Sequence, residues 1–328
     1  MYSGVRWRSG VTPMEATRLA QENTMTDPLR GQVALVTGGT RGAGRGIAIE
    51  LGAAGATVYV SGRTTRQARS PLNRPETIEE TAELVTQVGG QGIAVRCDHL
   101  LVSEVEALVQ RIEDEQDGRL DVLVDDTWGG DQWIEWKPLW EHNLDNGLRA
   151  LRNGLETHLI TLHTVLPLLV RRGQGLVVEI TDGDDMFNDR YRGSMFYDMI
   201  KVAISRLGKM LSEELKPHGV ASVALTPGFL RSEAMVEHFG LTEEHWRDGI
   251  ARDPWFAISE TPHYIGRAVV ALAADPHVAR WSGQALSSGL LAKHYGFTDL
   301  DGSQPEASRF FADAYFGDKK DANVEEYR

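Results

Sequence analysis

Val33-Ala34-Leu35-Val36-Thr37-Gly38-Gly39-Thr40-Arg41-Gly42-Ala43-Gly44 is the stretch whose reading decides the fold. Its first four residues, apolar or small, predict a short buried strand. Glycines 38, 42 and 44 predict a turn in which backbone comes close to a ligand. Ile47, Ala48 and Leu51 then recur at helical spacing. A strand, a glycine turn and a helix start make a phosphate site, because the free N–H groups at a helix N-terminus face the anion. A glycine triplet alone fits a plain turn equally well. The sequence further along the chain decides between the two.

Outward from this unit, strands and amphipathic helices alternate. Ala56–Ser61 reads as a second strand, ending in Gly62-Arg63-Thr64, and Glu76–Val88 as a helix. Gly92–Cys97 gives a third strand ending at Asp98, Val102–Glu115 a helix, and Asp121–Val124 a fourth strand. After a tryptophan-rich irregular segment come a helix from about Asn146 to Leu169, a strand at Leu176–Ile180 and a helix at Tyr197–Leu215. Val220–Leu225 and Gln284–Ser287 are the last strands, with a helical lid expected between Arg231 and Ala251. The alternation predicts an α/β fold: a doubly wound parallel sheet of Rossmann type, one domain over 29–298 with a substrate lid. Residues 299–328 read as a surface tail. Residues 1–28 read as a flexible extension, or as an over-long start with Met25 as the natural first residue.

The chain has 328 residues, 41% hydrophobic and 25% charged, the profile of a globular protein. A net charge of −13 argues against binding nucleic acid or an anionic membrane. Cys97 is the single cysteine, which agrees with a reducing cytoplasm. No apolar run approaches the ~20 residues of a membrane span.

Tyr197 and Lys201 lie four apart and share a helix face. An ammonium beside a phenol favours the phenolate, which makes a general acid/base for a carbonyl or alcohol. As a bare pattern it is also an ordinary surface pair. The Thr37-Gly38-x-x-x-Gly42-x-Gly44 turn, Asp98, Tyr197-x-x-x-Lys201 and Pro227-Gly228 after strand six nevertheless occur in one order. In that order, over about residues 30–290, the chain resembles the short-chain dehydrogenase/reductase family. The resemblance implies that Tyr197 exchanges the substrate proton, that Lys201 binds the nicotinamide ribose and tunes the tyrosine, and that the cofactor carries hydride. It implies that Thr37, Gly38, Thr40, Arg41, Gly42, Ala43 and Gly44 form the pyrophosphate cradle and that Asp98 meets the adenine. His99, Asp126 and Thr127 count among the cofactor contacts, and Pro227, Gly228 and Leu230, with Ser232, border the carboxamide. An acidic residue after strand two would bind the ribose hydroxyls of NAD. Here Arg63 stands there and Arg41 lies in the turn, and two guanidiniums suit a 2′-phosphate, so the expected cofactor is NADP(H). Arg66, Arg69 and Arg74 read as a solvated loop.

Three positions depart from the family. Asp125-Asp126-Thr127-Trp128 replaces Asn-Asn-Ala-Gly, Gly154 aligns with the active-site Asn, and Ile180-Thr181-Asp182 replaces Ile-Ser-Ser. Thr181 and Asp182 are the candidates for the serine role, with Ser194 behind them. A carboxylate at Asp182 would repel a substrate oxygen gaining charge. A metal reading of Asp182, Asp184 and Asp185 lacks a paired His or Cys, and no metal is expected. His142, His158, His163 and His294 read as structural. Trp128, Trp133, Trp136 and Trp140 would wall an apolar pocket for an aromatic carbonyl compound, or else pack in a core or subunit contact. The expected function is an NADP(H)-dependent oxidoreductase interconverting a small-molecule carbonyl and an alcohol, with family resemblance implying a homodimer or homotetramer. The alternatives are a non-catalytic NADP(H)-binding relative, acting as sensor or assembly partner, and an epimerase or dehydratase on the same scaffold. The Tyr197–Lys201 pair argues against the pure binder.

Overall fold

Each apolar run becomes a strand and each amphipathic run a crossover helix in a computed structural model, which describes residues 27–70 and 72–328. The extension expected over 1–28 lies outside the described residues except for its last two. Strands β1 (Val33–Val36), β2 (Thr57–Gly62), β3 (Gln91–Arg96), β4 (Val122–Asp125), β5 (Gly175–Ile180), β6 (Val220–Thr226) and β7 (Ala285–Ser287) pair in the order β3-β2-β1-β4-β5-β6-β7. Every pairing is parallel. The helices are α1 (Gly42–Ala53), α2 (Ile78–Gln87), α3 (Val102–Gln116), α4 (Leu144–Leu151), α5 (Thr157–Arg172), α6 (Met195–Leu215), α7 (Glu233–His238), α8 (Pro262–Ala274), α9 (Ser288–Tyr295) and α10 (Ala307–Phe310).

The strands are buried on both faces because helices cover both, so their sequences run apolar without alternating. Within β1, Ala34 and Val36 point into one core with Ile47 and Leu51 of α1 and Ile265 of α8. Val33 and Leu35 point into the other with Leu108 of α3, Val165 of α5 and Leu211 of α6. Thr77 caps α2 by accepting from the Glu80 N–H, as its Thr-x-x-Glu spacing dictates. Among the described residues no helix is long and apolar enough to cross a membrane.

Three expectations change. The helix predicted from Asn146 to Leu169 is interrupted by a π turn, Arg152–Glu156, where one extra residue is accommodated. The lid contains the short α7 and then 3-10 turns at Glu243–Ala251, not one long helix. The tail is anchored and not loose on the surface: Phe310, Ala314 and Tyr327 are buried together with Ile258. Arg328 ties that end down through the Ala257 carbonyl at 2.6 Å and the Asp301 carboxylate at 2.7 Å. Aromatic side chains in the tail drive this packing, because each buries a large apolar area.

Candidate active site

β1 and β4 lie side by side at the centre of the sheet, and chain order reverses between them. The loops after them therefore diverge and leave a crevice at the strands' C-terminal ends. A cleft of about 1010 Å³ opens there. Gly38, Thr40, Arg41, Gly42, Ala43, Arg63, Asp98, His99, Asp126, Thr127, Pro227, Gly228 and Leu230 line it, as expected from the sequence. Thr37 and Gly44 do not. Thr37 is fully buried. Its hydroxyl donates to Asp125 Oδ1 at 2.6 Å and accepts from the Asp126 N–H at 3.1 Å, clamping the ends of β1 and β4 together. Gly44 lies against the Gly38 carbonyl, where a Cβ would come within 2.7 Å. Gly38 has φ +65°, and a Cβ there would meet the Asp126 carbonyl at 2.2 Å. This is the close approach that requires glycine.

The N-terminus of α1 already holds an anion. The Gly42 N–H donates to Glu233 Oε2 of α7 at 2.8 Å, and Arg45 Nε lies 3.9 Å from the same carboxylate. Glu237, one turn further along α7, pairs with Arg74 at 2.5 Å. Arg74 is thus not part of a solvated loop: it joins Glu76 and Glu237 with its side chain 13% exposed. Arg63 stands beyond β2 with Nη1 3.9 Å from Asp98. A helix N-terminus that takes a carboxylate, a glycine contact that excludes a Cβ, and guanidiniums at Arg41 and Arg63 make donors that fit the phosphates of a dinucleotide.

At the other end of the cleft, α6 brings Tyr197 and Lys201 to its rim. The Tyr197 hydroxyl donates to Asp182 Oδ2 at 2.7 Å. Burial, reinforced by the Asp182 carboxylate, pushes the phenol well above its ordinary value. The expected lowering by Lys201 is therefore reversed. Burial lowers Lys201 itself, and its Nζ sits 4.2 Å above the Trp128 ring, further than that from the Tyr197 ring. Asp182 remains half exposed, with Arg192 Nε 3.9 Å away. Thr181 is excluded from the serine role, because its hydroxyl donates to the Lys201 carbonyl at 2.6 Å and so ties β5 to α6. Ser194 is fully buried, and its hydroxyl has no partner among the described residues. Gly154, in the π turn, makes room for Trp128: a Cβ would lie 2.5 Å from that ring. Two of the family departures thus compensate each other in space.

Only Trp128 of the four tryptophans lines the cleft. Trp136 and Trp140 are exposed, and Trp133 packs in a small core with Ala150 and Ile200. The apolar wall comes instead from Phe187, Phe229 and Trp255, and from Phe311, Tyr315 and Phe316 of the C-terminal segment. Phe311, Tyr315 and Phe316 fall in the segment that the sequence presents as a surface tail. Four aromatics within residues 310–316 were the signal against that.

Beneath the site, His158 joins two buried carboxylates. Its Nδ1 lies 2.8 Å from Glu179 Oε2 and 3.6 Å from Asp125 Oδ2, and its Nε2 lies 3.1 Å from the Thr127 carbonyl. Burial alone would lower its pKa, but the two carboxylates lift it to about 9, so an imidazolium there offsets one of the two carboxylate charges. Burial pushes Asp126, beside it, up to about 7.

The model of the short chain dehydrogenase family matches residues 32–241. Human "Dehydrogenase/reductase SDR family member 1" is 37% identical over 283 residues, 85% of this chain and 86% of its own length. A short chain dehydrogenase from Mycobacterium thermoresistibile superposes with a TM-score of 0.70 at 22% identity, over 85% of this chain and 93% of that one. A Beutenbergia cavernae protein named as an NAD(P) dependent gluconate 5-dehydrogenase, solved with bound NADP, superposes with a TM-score of 0.63 at 25% identity, over 82% of this chain and all of that one. These likenesses agree with the strand order of the sheet, and the chain belongs to the short-chain dehydrogenase/reductase family.

Proposed function

We propose that the chain is an NADP(H)-dependent oxidoreductase that interconverts a carbonyl compound and an alcohol, working in the reductive direction. When bound, the nicotinamide cofactor supplies the hydride. The turn from Gly38 to Ala43 holds the pyrophosphate, Arg41 and Arg63 take the 2′-phosphate, Asp98 meets the adenine, and Pro227, Gly228 and Leu230 border the carboxamide. The absence of an acidic residue after β2, where Gly62-Arg63 stands, supports NADP(H) over NAD(H).

The observation that carries the reading is Tyr197, which lines the cleft with its hydroxyl 2.7 Å from Asp182 Oδ2 and shares a helix face with Lys201. Once released from Asp182, the phenol gives its proton to a carbonyl oxygen as negative charge develops there. Lys201, with its Nζ over the Trp128 ring, orients the ribose side of the site. The aromatic end formed by Trp255 and Phe311 suits an apolar or aromatic substrate. Exposed Leu144, Leu148 and Leu159 on α4–α5, with Met199 on α6, support a homodimer or homotetramer.

One observation favours a second reading, a non-catalytic NADP(H)-binding protein: Asp182 accepts the hydroxyl that catalysis needs. Titration with NADPH and NADH, followed by a carbonyl panel, separates the two. The enzyme oxidises NADPH, and Tyr197→Phe lowers kcat by about 10²- to 10⁴-fold with cofactor affinity retained. Tight NADPH binding with no turnover on any carbonyl selects the binder.

A further inference from the structure

Asp182 presents a carboxylate, 49% exposed, beside the Tyr197 hydroxyl. Asp131 and Asp253 also line the cleft, where they accept from Trp128 Nε1 at 2.6 Å and from the Trp255 N–H at 2.9 Å. The guanidinium of Arg192 donates to Asp198 at 2.5 Å and Asn188 at 3.1 Å, and with its Nε 3.9 Å from Asp182 it offsets that carboxylate only in part. The ammonium of Lys201 lies over Trp128. Phe187, Trp255, Phe311, Tyr315 and Phe316 supply ring faces, which attract organic cations.

Carbonyl reduction creates negative charge on oxygen and asks for neutral donors around it. Here the Thr181 hydroxyl is spent on the Lys201 carbonyl, Ser194 is buried, and Tyr197 must leave Asp182 to serve. A protonated imine makes the opposite demand. It starts positive, its N–H needs an acceptor, and it ends neutral.

We propose that this site also reduces protonated imines on apolar or aromatic frameworks, with Asp182 as the residue that selects them; the proposal rests on the hydride-transfer reading above. The iminium N–H donates to the Asp182 carboxylate, and the rings hold the framework. The iminium carbon gains a hydride from the reduced nicotinamide dinucleotide, forming a C–H bond. The C=N π pair becomes the nitrogen lone pair, so the substrate is reduced by two electrons and the dinucleotide oxidised by two. The product is an amine, and no protein proton is consumed.

The test compares an aryl cyclic imine, dihydroisoquinoline, with the bicyclic ketone tetralone, using NADPH and the full chain. Wild type is expected to turn over the imine. Asp182→Asn and Asp182→Ser each lower the imine-to-ketone ratio of kcat/KM by about 10- to 100-fold, the loss of one charge-assisted hydrogen bond. A readout without turnover accompanies it: tetrahydroisoquinolinium quenches tryptophan fluorescence, and Asp182→Asn weakens its binding by about tenfold or more. Thermal melts check that both variants fold. Ketone turnover without imine turnover overturns this proposal alone. So does an imine-to-ketone ratio, or amine affinity, that is unchanged in Asp182→Asn. NADPH oxidation with neither acceptor overturns the carbonyl reading as well.

Discussion

Replacing Glu233 by Gln should tighten NADPH binding. In the structure the Glu233 carboxylate takes the Gly42 N–H at 2.8 Å, with Arg45 Nε at 3.9 Å. The dinucleotide proposed for this cleft needs that same helix end for its phosphates, so it must displace the side chain. A hydrogen bond to a charged group contributes about 1.5–3 kcal/mol, whereas the neutral amide of Gln retains about 0.5–1.5 kcal/mol. The carboxylate gains a further ~0.3–1 kcal/mol from the end of α1. The side chain is 31% exposed, so solvent screening trims the difference. About 1–2 kcal/mol remains, which corresponds to roughly 5- to 30-fold in affinity. The assay is NADPH fluorescence titration of wild type and Glu233→Gln at low and high salt, and the gap should narrow as salt screens the contact. Glu237→Gln is the control, since it frees Arg74 without touching the helix end. An affinity that is unchanged, or weaker, in Glu233→Gln would refute the reasoning.

Arg63→Ala should weaken NADPH by about 10- to 100-fold and leave NADH nearly unchanged, because the lost contact is a charge-assisted one to the 2′-phosphate. Equal loss for both cofactors removes Arg63 from that role. Glu260 is fully buried, accepting from Gly228 N–H at 2.9 Å and Ser288 Oγ at 2.7 Å, and burial pushes it up to about 8. The folded chain therefore holds a proton that the unfolded chain releases, and that stabilisation fades as pH rises from the ordinary carboxylate range through about 8. Glu260→Gln should gain in Tm relative to wild type on going from acidic to mildly alkaline buffer, and a constant difference would contradict the assignment. Phe310→Ala should cost about 3–5 kcal/mol in urea unfolding, since Phe310 is 4% exposed and packs on Trp255 and Tyr327. A cost below about 1 kcal/mol would mean that the C-terminal segment does not pack as described.

The glycine turn, the strand order and the Tyr197–Lys201 face were legible in the chain because each depends on local chemistry. Glycine conformation, apolar periodicity and four-residue helical spacing repeat wherever they occur. Even so, a residue type did not reveal a side chain's direction. Thr37 and Gly44 belong to the motif but lie under the cleft, and Thr181 spends its hydroxyl on α6. A strand alternates faces, and only the packed neighbours decide which face meets the ligand.

Sequence alone thus determined the family, the sheet and the glycine turn after β1. The tertiary structure decided the other end of the cleft. It folded the C-terminal aromatics over the cleft, set Trp128 into the space that Gly154 leaves, and placed Asp182 on the tyrosine hydroxyl. It also reversed the expected effect on Tyr197, because burial and a carboxylate outweigh an ammonium that sits over another ring. Those outcomes are sums of long-range contacts between segments far apart in the chain, and no local pattern encodes such a sum.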